Sequence, residues 1–153
     1  MDIGRLIALG NIFLHEINPA EISPGEFTAL VCRGVAERNT KVIVVDSLNG
    51  YLQAMPQERF LPLEIHQLLS YLNQRGVLTI LVMAQHGLVG PVESPIDLSY
   101  LSDAVVLLRF FEAQGKVRKA ISVVKKRIGA HEDTIRELRL SSKGLQVDRK
   151  SVV

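Results

Sequence analysis

The sequence predicts an α/β fold in which a mostly parallel sheet is flanked by helices. Two continuous apolar runs, residues 42–45 and 77–84, have the composition of strands that are buried on both faces. Helical patterns precede and separate these runs, and such alternation of strand and helix is typical of a parallel sheet. The chain of 153 residues is long enough for one sizeable core, so we expect a single domain over residues 1–153.

Composition indicates a globular protein and argues against several classes. Hydrophobic residues make up 47% of the chain and charged residues 22%, which excludes a disordered class. The net charge of +2 is too small to indicate nucleic-acid binding by itself. No apolar stretch reaches the roughly 18 to 20 residues that a bilayer span needs, and Asp2 and Arg5 interrupt any signal-peptide pattern. We therefore expect no membrane partner. Cys32 is the only cysteine and cannot form an intrachain disulfide, which favours a reducing, cytoplasmic location.

The first elements are short. Residues 2–9 resemble the end of a helix that Gly10 closes, and residues 11–17 are predicted to form a short strand. A clear helix start follows, because Ser23 can cap the helix, Pro24 suits its first position and Glu26 can reach back to the cap. The helix that they begin has one apolar face, formed by Phe27, Leu30, Val31 and Val35.

A second helix is predicted over residues 57–74, between the two apolar runs. Gly76 supplies its stop, whereas Pro62 indicates either a later start or a kink. Its apolar stripe consists of Leu61, Ile65, Leu68, Leu69 and Leu72.

The first apolar run ends on Asp46, and we consider two interpretations of this residue. At the carboxyl end of a parallel strand, a carboxylate can hold a magnesium ion or its water shell beside a nucleotide phosphate. Alternatively, Asp46 merely ends the strand and starts a turn with Asn49 and Gly50. A nucleophilic role for Ser47 is disfavoured because no Gly-x-Ser-x-Gly elbow surrounds it.

The second half of the chain begins with a long loop and ends in antiparallel strands. Residues 86–99 are rich in Gly, Pro and Ser, which is typical of a binding loop. The segment 85–99 contains neither Lys nor Arg, so nucleic-acid binding through it is not expected. Residues 104–110 form a third apolar strand. Residues 117–126 and 134–140 are predicted to be antiparallel, and a turn at 141–144 leads to a frayed tail.

Five stretches in this order resemble the RecA-like ATPases, specifically their KaiC-type branch. They are Val42-Ile43-Val44-Val45-Asp46-Ser47-Leu48-Asn49-Gly50-Tyr51; Leu69-Ser70-Tyr71-Leu72 ahead of Gly76; Ala84-Gln85-His86-Gly87-Leu88; Asp103-Ala104-Val105-Val106-Leu107-Leu108-Arg109; and Val124-Lys125-Lys126-Arg127-Ile128-Gly129-Ala130-His131. The first resembles a Walker B strand with its following turn. The resemblance covers about residues 11–147. It implies a RecA-like P-loop NTPase core with a C-terminal antiparallel extension, and ATP and magnesium as cofactors.

The resemblance also implies roles for individual residues. Asp46 matches the Walker B acid that orients a magnesium-bound water, with Ser47 beside it at the nucleotide. Gln85 matches the polar sensor of the γ-phosphate. Lys125 and Arg127 match the basic pair that reaches the nucleotide of a neighbouring subunit, and on a strand two residues so spaced project the same way. The alternative for this pair is an edge strand that its charges protect from aggregation.

One part of the family pattern has no counterpart here. A P-loop needs Gly-x-x-x-x-Gly-Lys followed by Ser or Thr, whereas Gly115-Lys116 is followed by Val117 and lacks the first glycine. The general-base glutamate that the family carries ahead of the first matched strand is missing too. We therefore expect the C-terminal two-thirds of a RecA-like domain, without the P-loop strand and helix and inactive alone.

Two hypotheses follow. The first is a partial ATPase module that binds and hydrolyses ATP only with a complete domain or neighbouring subunit. The second is a non-enzymatic oligomerisation or signalling module that keeps the fold. The missing P-loop strand that the resemblance implies either exposes an apolar sheet edge or lets the core close over it. We predict that the isolated chain self-associates or is poorly soluble, or that it assembles with RecA/KaiC-like subunits. The four histidines show no metal-ligand spacing, and Asp103 is interpreted as turn chemistry.

Overall fold

The computed structural model describes residues 2–54, 60–84 and 99–151. These residues fall into two compact units, one within residues 2–84 and the other over residues 99–151. The first unit contains helices and a parallel pair of strands, and the second contains a four-stranded antiparallel sheet. The predicted α/β class with a C-terminal antiparallel extension is therefore confirmed. Among the described residues, no helix is long and apolar enough to span a bilayer.

The described residues of the first unit form four helices and two strands. In chain order they are α1 (Ile3–Ala8), α2 (Pro24–Arg38), β1 (Val42–Val45), α3 (Leu48–Ala54), α4 (Leu61–Gln74) and β2 (Leu78–Leu81). The strands pair in parallel, with Val42 opposite Leu78 and Val45 opposite Leu81. Each strand is followed by a polar or irregular segment at the same edge of this sheet.

Helix α2 begins where the capping chemistry predicts. The Ser23 backbone N–H donates to Glu26 Oε2 over 2.9 Å, and the Glu26 N–H donates to Ser23 Oγ over 3.3 Å. These reciprocal bonds satisfy two N–H groups that a helix start leaves without partners. They also hold the pKa of the Glu26 carboxyl below its usual range, because Ser23 donates to the charged form.

Helix α4 starts later than the predicted residue 57. Pro62 lies in its first turn, where a missing N–H costs nothing, so the later-start interpretation of this proline is correct. Residues 55–59 lie outside the described ranges. Gly76 follows the helix with a φ of 66°, a conformation that glycine adopts without steric cost.

The core of the first unit lies on one side of the β1–β2 pair. Val35 of α2 packs with Leu68, Leu72 and Val77, and Ile43 joins them from the sheet. The prediction that the apolar runs are buried on both faces is wrong, because no described element of the first unit covers the opposite face. We call that surface the open apolar face. Its members, which are 45% to 60% exposed, are Val42, Val44, Leu78 and Ile80.

Residues 11–17 do not form the predicted strand. A strand needs a neighbour for its backbone groups, and the described residues offer none to this segment. Phe13 instead lies under the guanidinium of Arg38, whose Cζ is 4.0 Å from the ring centroid. This cation–π contact holds the segment against α2 by a side chain instead of a ladder.

The second unit is an antiparallel meander. Its strands, in spatial order, are β3 (Ala104–Ala113), β4 (Lys116–Lys126), β5 (Arg136–Ser141) and β6 (Gly144–Ser151), and a short 3₁₀ turn (Ser99–Leu101) precedes them. Gln114 and Gly115 connect β3 to β4 with positive φ at both residues, as a two-residue hairpin turn of right-handed sheets requires. The predicted frayed tail is wrong, because residues 144–151 pair with β5.

Charged side chains link three strands of this sheet. Glu137 of β5 accepts from Arg139 over 3.0 Å and from Arg118 of β4 over 3.3 Å. Arg139 also pairs with Asp148 of β6 over 3.2 Å. The hydrogen bond from Arg139, and the charges of both arginines, hold the pKa of the Glu137 carboxyl below its usual range.

Candidate functional site

Asp46 directly follows strand β1 and lies at the carboxyl end of the parallel pair. The Asp46 side chain is exposed, and Ser47 beside it is half-buried. The peptide bond between them is cis. An exposed carboxylate with a hydroxyl beside it suits magnesium, which proteins usually bind through one or two carboxylates together with water and substrate phosphates. The donor set at this strand end therefore fits the predicted cofactor.

The turn after Asp46 is held by backbone bonds to the neighbouring strand. Val82 N–H donates to the Val45 carbonyl over 2.9 Å, and Leu48 N–H donates to the Val82 carbonyl over 3.0 Å. Leu48 is buried in the core, so α3 begins with an apolar anchor directly after the two polar residues. These contacts fix the backbone on both sides of Asp46 and Ser47.

The buried amide of Asn49 completes this arrangement. Its Nδ2 donates to the Ala84 carbonyl over 2.8 Å, and its Oδ1 accepts from the Ala84 N–H over 2.6 Å. Sequence reasoning missed this residue, because an Asn-Gly pair after a strand indicates a turn. Asn49 and Gly50 instead belong to α3, so the interpretation of a turn at these two residues is wrong.

Gln85, the predicted sensor, lies outside the described residues. Ala84, the residue before it, is the last described residue of the first unit and is bound by Asn49. The structure thus connects the segment that carries Asp46 to the residue that precedes Gln85 in the sequence.

A small cavity lies in the core below the strand ends. Its volume is about 20 Å³, and apolar side chains such as Phe27, Ile43 and Leu72 line it. This volume suffices for one water molecule at most, and Asp46 and Ser47 are not among the lining residues. The polar residues at the strand ends therefore lie outside this cavity.

The two predicted basic residues lie at the end of β4 in the second unit. Lys125 is half-buried and lies opposite Val105, whereas Val123 lies opposite Val106, so Val124 is the extra residue of a β-bulge. The strand ends at Lys126, which places Arg127 one residue beyond it. The strand that would align the two side chains thus stops just before Arg127.

Arg127 is held by the segment that precedes β3. Its Nη1 lies 3.1 Å from Asp103 Oδ1, its backbone N–H donates to the Asp103 carbonyl over 2.7 Å, and its Nη2 donates to the Tyr100 carbonyl over 3.4 Å. The side chains of Arg127 and Asp103 are 54% and 71% exposed, so solvent screens the ion pair. Asp103 is interpreted from the sequence as turn chemistry, because nothing local indicates Arg127 as its partner.

The predicted site residues that the structure describes therefore form two groups, each within its own unit. Asp46 and Ser47 lie together in the first, and Lys125 and Arg127 lie close together in the second. In the ranges that the structure describes, no three His, Cys, Asp or Glu side chains are close enough to hold a metal ion by themselves. A magnesium ion at Asp46 would need phosphate and water ligands as well.

Comparison with known proteins points to one family. The family model described as "ATPase: KaiC" matches residues 2–152. Over 108 residues, the chain is 26% identical to the circadian clock protein KaiC3 of Synechocystis sp. (strain ATCC 27184 / PCC 6803 / Kazusa). This match covers 70% of the chain and 21% of KaiC3, so the chain spans about a fifth of the length of that curated relative.

Proposed function

Because the chain belongs to the KaiC family of ATPases, we propose that it supplies part of an ATP site that a complete domain or neighbouring subunit completes. The observation that carries this proposal is the exposed carboxylate of Asp46 at the carboxyl end of a parallel strand. Ligands of open α/β sheets gather at this edge. ATP hydrolysis by the chain alone is not expected, since no Gly-x-x-x-x-Gly-Lys run is present to hold the phosphates.

In this proposal, Asp46 acts on magnesium and not on the substrate directly. Its carboxylate would hold the ion through a water molecule, and the Ser47 hydroxyl would contribute to binding the nucleotide. Magnesium supplies charge stabilisation for phosphoryl transfer when it is bound. The buried start of α3 limits the movement of both residues, which favours a defined geometry at the edge.

Lys125 and Arg127 are proposed to act on the nucleotide of a neighbouring subunit. Two cations near the end of one strand suit a triphosphate, and an arginine can bind phosphate oxygens in a bidentate manner. The ion pair of Arg127 with Asp103 is exposed, so exchanging it for a phosphate costs little. Gln85 remains the proposed γ-phosphate sensor.

The first experiment measures magnesium-dependent binding of a fluorescent ATP analogue to the chain. We expect weak binding that Asp46→Ala abolishes, because the ion then loses its carboxylate. Asp133→Ala is the matched control, since Asp133 is an exposed aspartate of the other unit. Binding that is absent, independent of magnesium or unchanged in Asp46→Ala would contradict the proposal.

The second experiment tests the basic pair. Adding the chain to a full-length relative is expected to change the ATPase rate of that protein. Replacing Lys125 and Arg127 by alanine together should remove the change, whereas replacing the exposed Lys41 and Lys143 should not. If both double variants behave alike, the basic pair has no specific role.

A second candidate is a non-enzymatic assembly module, which the open apolar face favours. Val42 lies opposite Leu78 and Val44 opposite Ile80, so the exposed residues form contiguous cross-strand pairs. Such surfaces mark interaction sites or promote self-association. This candidate predicts association in a reducing cytoplasm without magnesium-dependent ATP binding. A sharp monomer in size-exclusion chromatography at high concentration would count against it.

A further inference from the structure

Asn49 continues the parallel ladder where the backbone of β1 can no longer do so. The chain turns into α3 after Val45, and backbone bonds connect it to Val82. Two residues after Val82, at Ala84, the backbone N–H and C=O both bind the side-chain amide of Asn49. The side-chain amide therefore takes the place of the peptide group that a longer strand would have supplied.

Burial makes this contact costly to lose. Asn49 is 6% exposed, and a buried amide is normally retained only when its donor and its acceptor are satisfied. A side chain of the same size without polar atoms would leave two backbone groups of Ala84 without their partner. The contact thus specifies the position of Ala84 in addition to stabilising the fold.

We propose that Asn49 is a positioning residue of the ATP site, which couples the turn carrying Asp46 and Ser47 to the strand end at Ala84. This inference rests on the proposed function, since it assigns Asn49 to the same site. Two backbone hydrogen bonds, from Val82 N–H to Val45 and from Leu48 N–H to Val82, also connect this turn to the strand end. Substitution of Asn49 therefore removes the side-chain link and leaves the backbone links in place.

The experiment follows the Ser47 and Ala84 amides by NMR in the ¹⁵N-labelled chain. Hydrogen exchange is measured without nucleotide, and chemical shifts are measured with and without magnesium and a non-hydrolysable ATP analogue. In the unmodified chain, we expect a protected Ala84 amide and nucleotide-dependent shifts at both positions. Asn73→Leu makes the same chemical change at an exposed position of α4 and should leave all of these signals unaltered.

In Asn49→Leu, exchange at Ala84 should accelerate about tenfold, which corresponds to about 1.4 kcal/mol. The nucleotide response should remain at Ser47 and disappear at Ala84. Asn49→Asp keeps an acceptor for the Ala84 N–H and should restore its protection. Asn49→Ala serves as the same test if the leucine variant does not fold.

The outcomes separate this inference from the proposed function. A nucleotide response at Ala84 that persists in Asn49→Leu, or unchanged exchange there, overturns the positioning role and leaves the ATP site intact. The absence of any response in the unmodified chain overturns the proposed function and the positioning role with it. In that case the exchange data still establish whether the hydrogen bonds exist.

Discussion

The two units of this chain are stabilised in different ways. The first buries apolar side chains between two helices and one face of a parallel pair, with Leu72 almost completely enclosed. The second is a sheet whose strands are linked by backbone ladders and by the charged side chains around Glu137. Asp46 thus belongs to a unit that is stabilised mainly by buried apolar side chains. Arg127 belongs to a unit in which charged side chains contribute more to stability. Substitutions in the two units should therefore differ in size and in their dependence on pH.

The largest effect is expected from Leu72→Ala in the first unit. Leu72 is 1% exposed and packs with Val35, Leu68 and Val77, so truncation leaves a cavity in the small core. We expect the free energy of unfolding to fall by about 2–5 kcal/mol, measured by urea denaturation with amide exchange of residues 2–84. Leu63→Ala, at a 52% exposed position of the same helix, is the control and should change it by less than about 0.5 kcal/mol. If both substitutions had equal effects, burial of Leu72 would not be what stabilises the first unit, and the proposed contrast with the second unit would be lost.

The second prediction concerns pH and the second unit. The pKa of Glu137 is lower in the folded chain than in the unfolded chain, chiefly because Arg139 donates to its carboxylate. Its stabilising contribution is therefore fully present above the ordinary glutamate pKa of about 4.3 and is lost as the pH falls through the lowered value. Glu137→Gln should destabilise the sheet at pH 7, by less than Leu72→Ala destabilises the first unit. It should also reduce the loss of stability of the sheet as the pH falls.

The measurement compares urea midpoints for residues 99–151 from pH 7 down to pH 3. Glu112→Gln changes an exposed glutamate of β3 and should leave the curve parallel to that of the unmodified chain. If Glu137→Gln also gives a parallel curve, the arginine contacts do not stabilise the sheet through this carboxylate.

A smaller effect is expected at the start of α2. Ser23→Ala removes the acceptor of the Glu26 N–H and should cost about 1 kcal/mol of the free energy of unfolding of the first unit. The control is Ser70→Ala at an exposed position of α4, where alanine is the better helix former and no loss is expected. Thermal denaturation of the two variants measures the difference. A loss in both would show that the capping box is not the cause.

Local chemistry explains which parts of the fold could be predicted. The sequence predicts the start of α2 and the end of α4 at Gly76 directly, because each depends on residues within a few positions of each other. At Pro62 it leaves a later start and a kink open, and the structure has the later start. The strands β1 and β2 follow from their apolar runs. Residues 11–17 show the limit of this reasoning, because a strand also requires a partner that local sequence does not specify.

The candidate site could be predicted only in part, for the same reason. The position of Asp46 follows from the end of an apolar run, and the structure places it at that strand end. The contacts of Asn49 with Ala84 span 35 residues, and those of Arg127 with Asp103 span 24, from 103 to 127. The sequence around Asn49 or Arg127 does not indicate which distant residue it contacts. Tertiary pairing therefore determines the surroundings of the site residues.

The smallest effect on stability is expected at the ion pair that holds Arg127. Both side chains are more than half exposed, so Asp103→Asn should change the free energy of unfolding by less than about 0.5 kcal/mol. Its effect on function should be larger, because the Arg127 guanidinium then binds a phosphate without first breaking the ion pair with Asp103. We expect Asp103→Asn to increase the change in ATPase rate that the chain causes in a full-length relative. Asp133→Asn, at an exposed aspartate of the same unit, is the control and should have no effect. If Asp103→Asn instead decreases this change in ATPase rate, Asp103 orients Arg127 towards the nucleotide and does not compete with phosphate for it. The two units would then differ less than their contacts indicate.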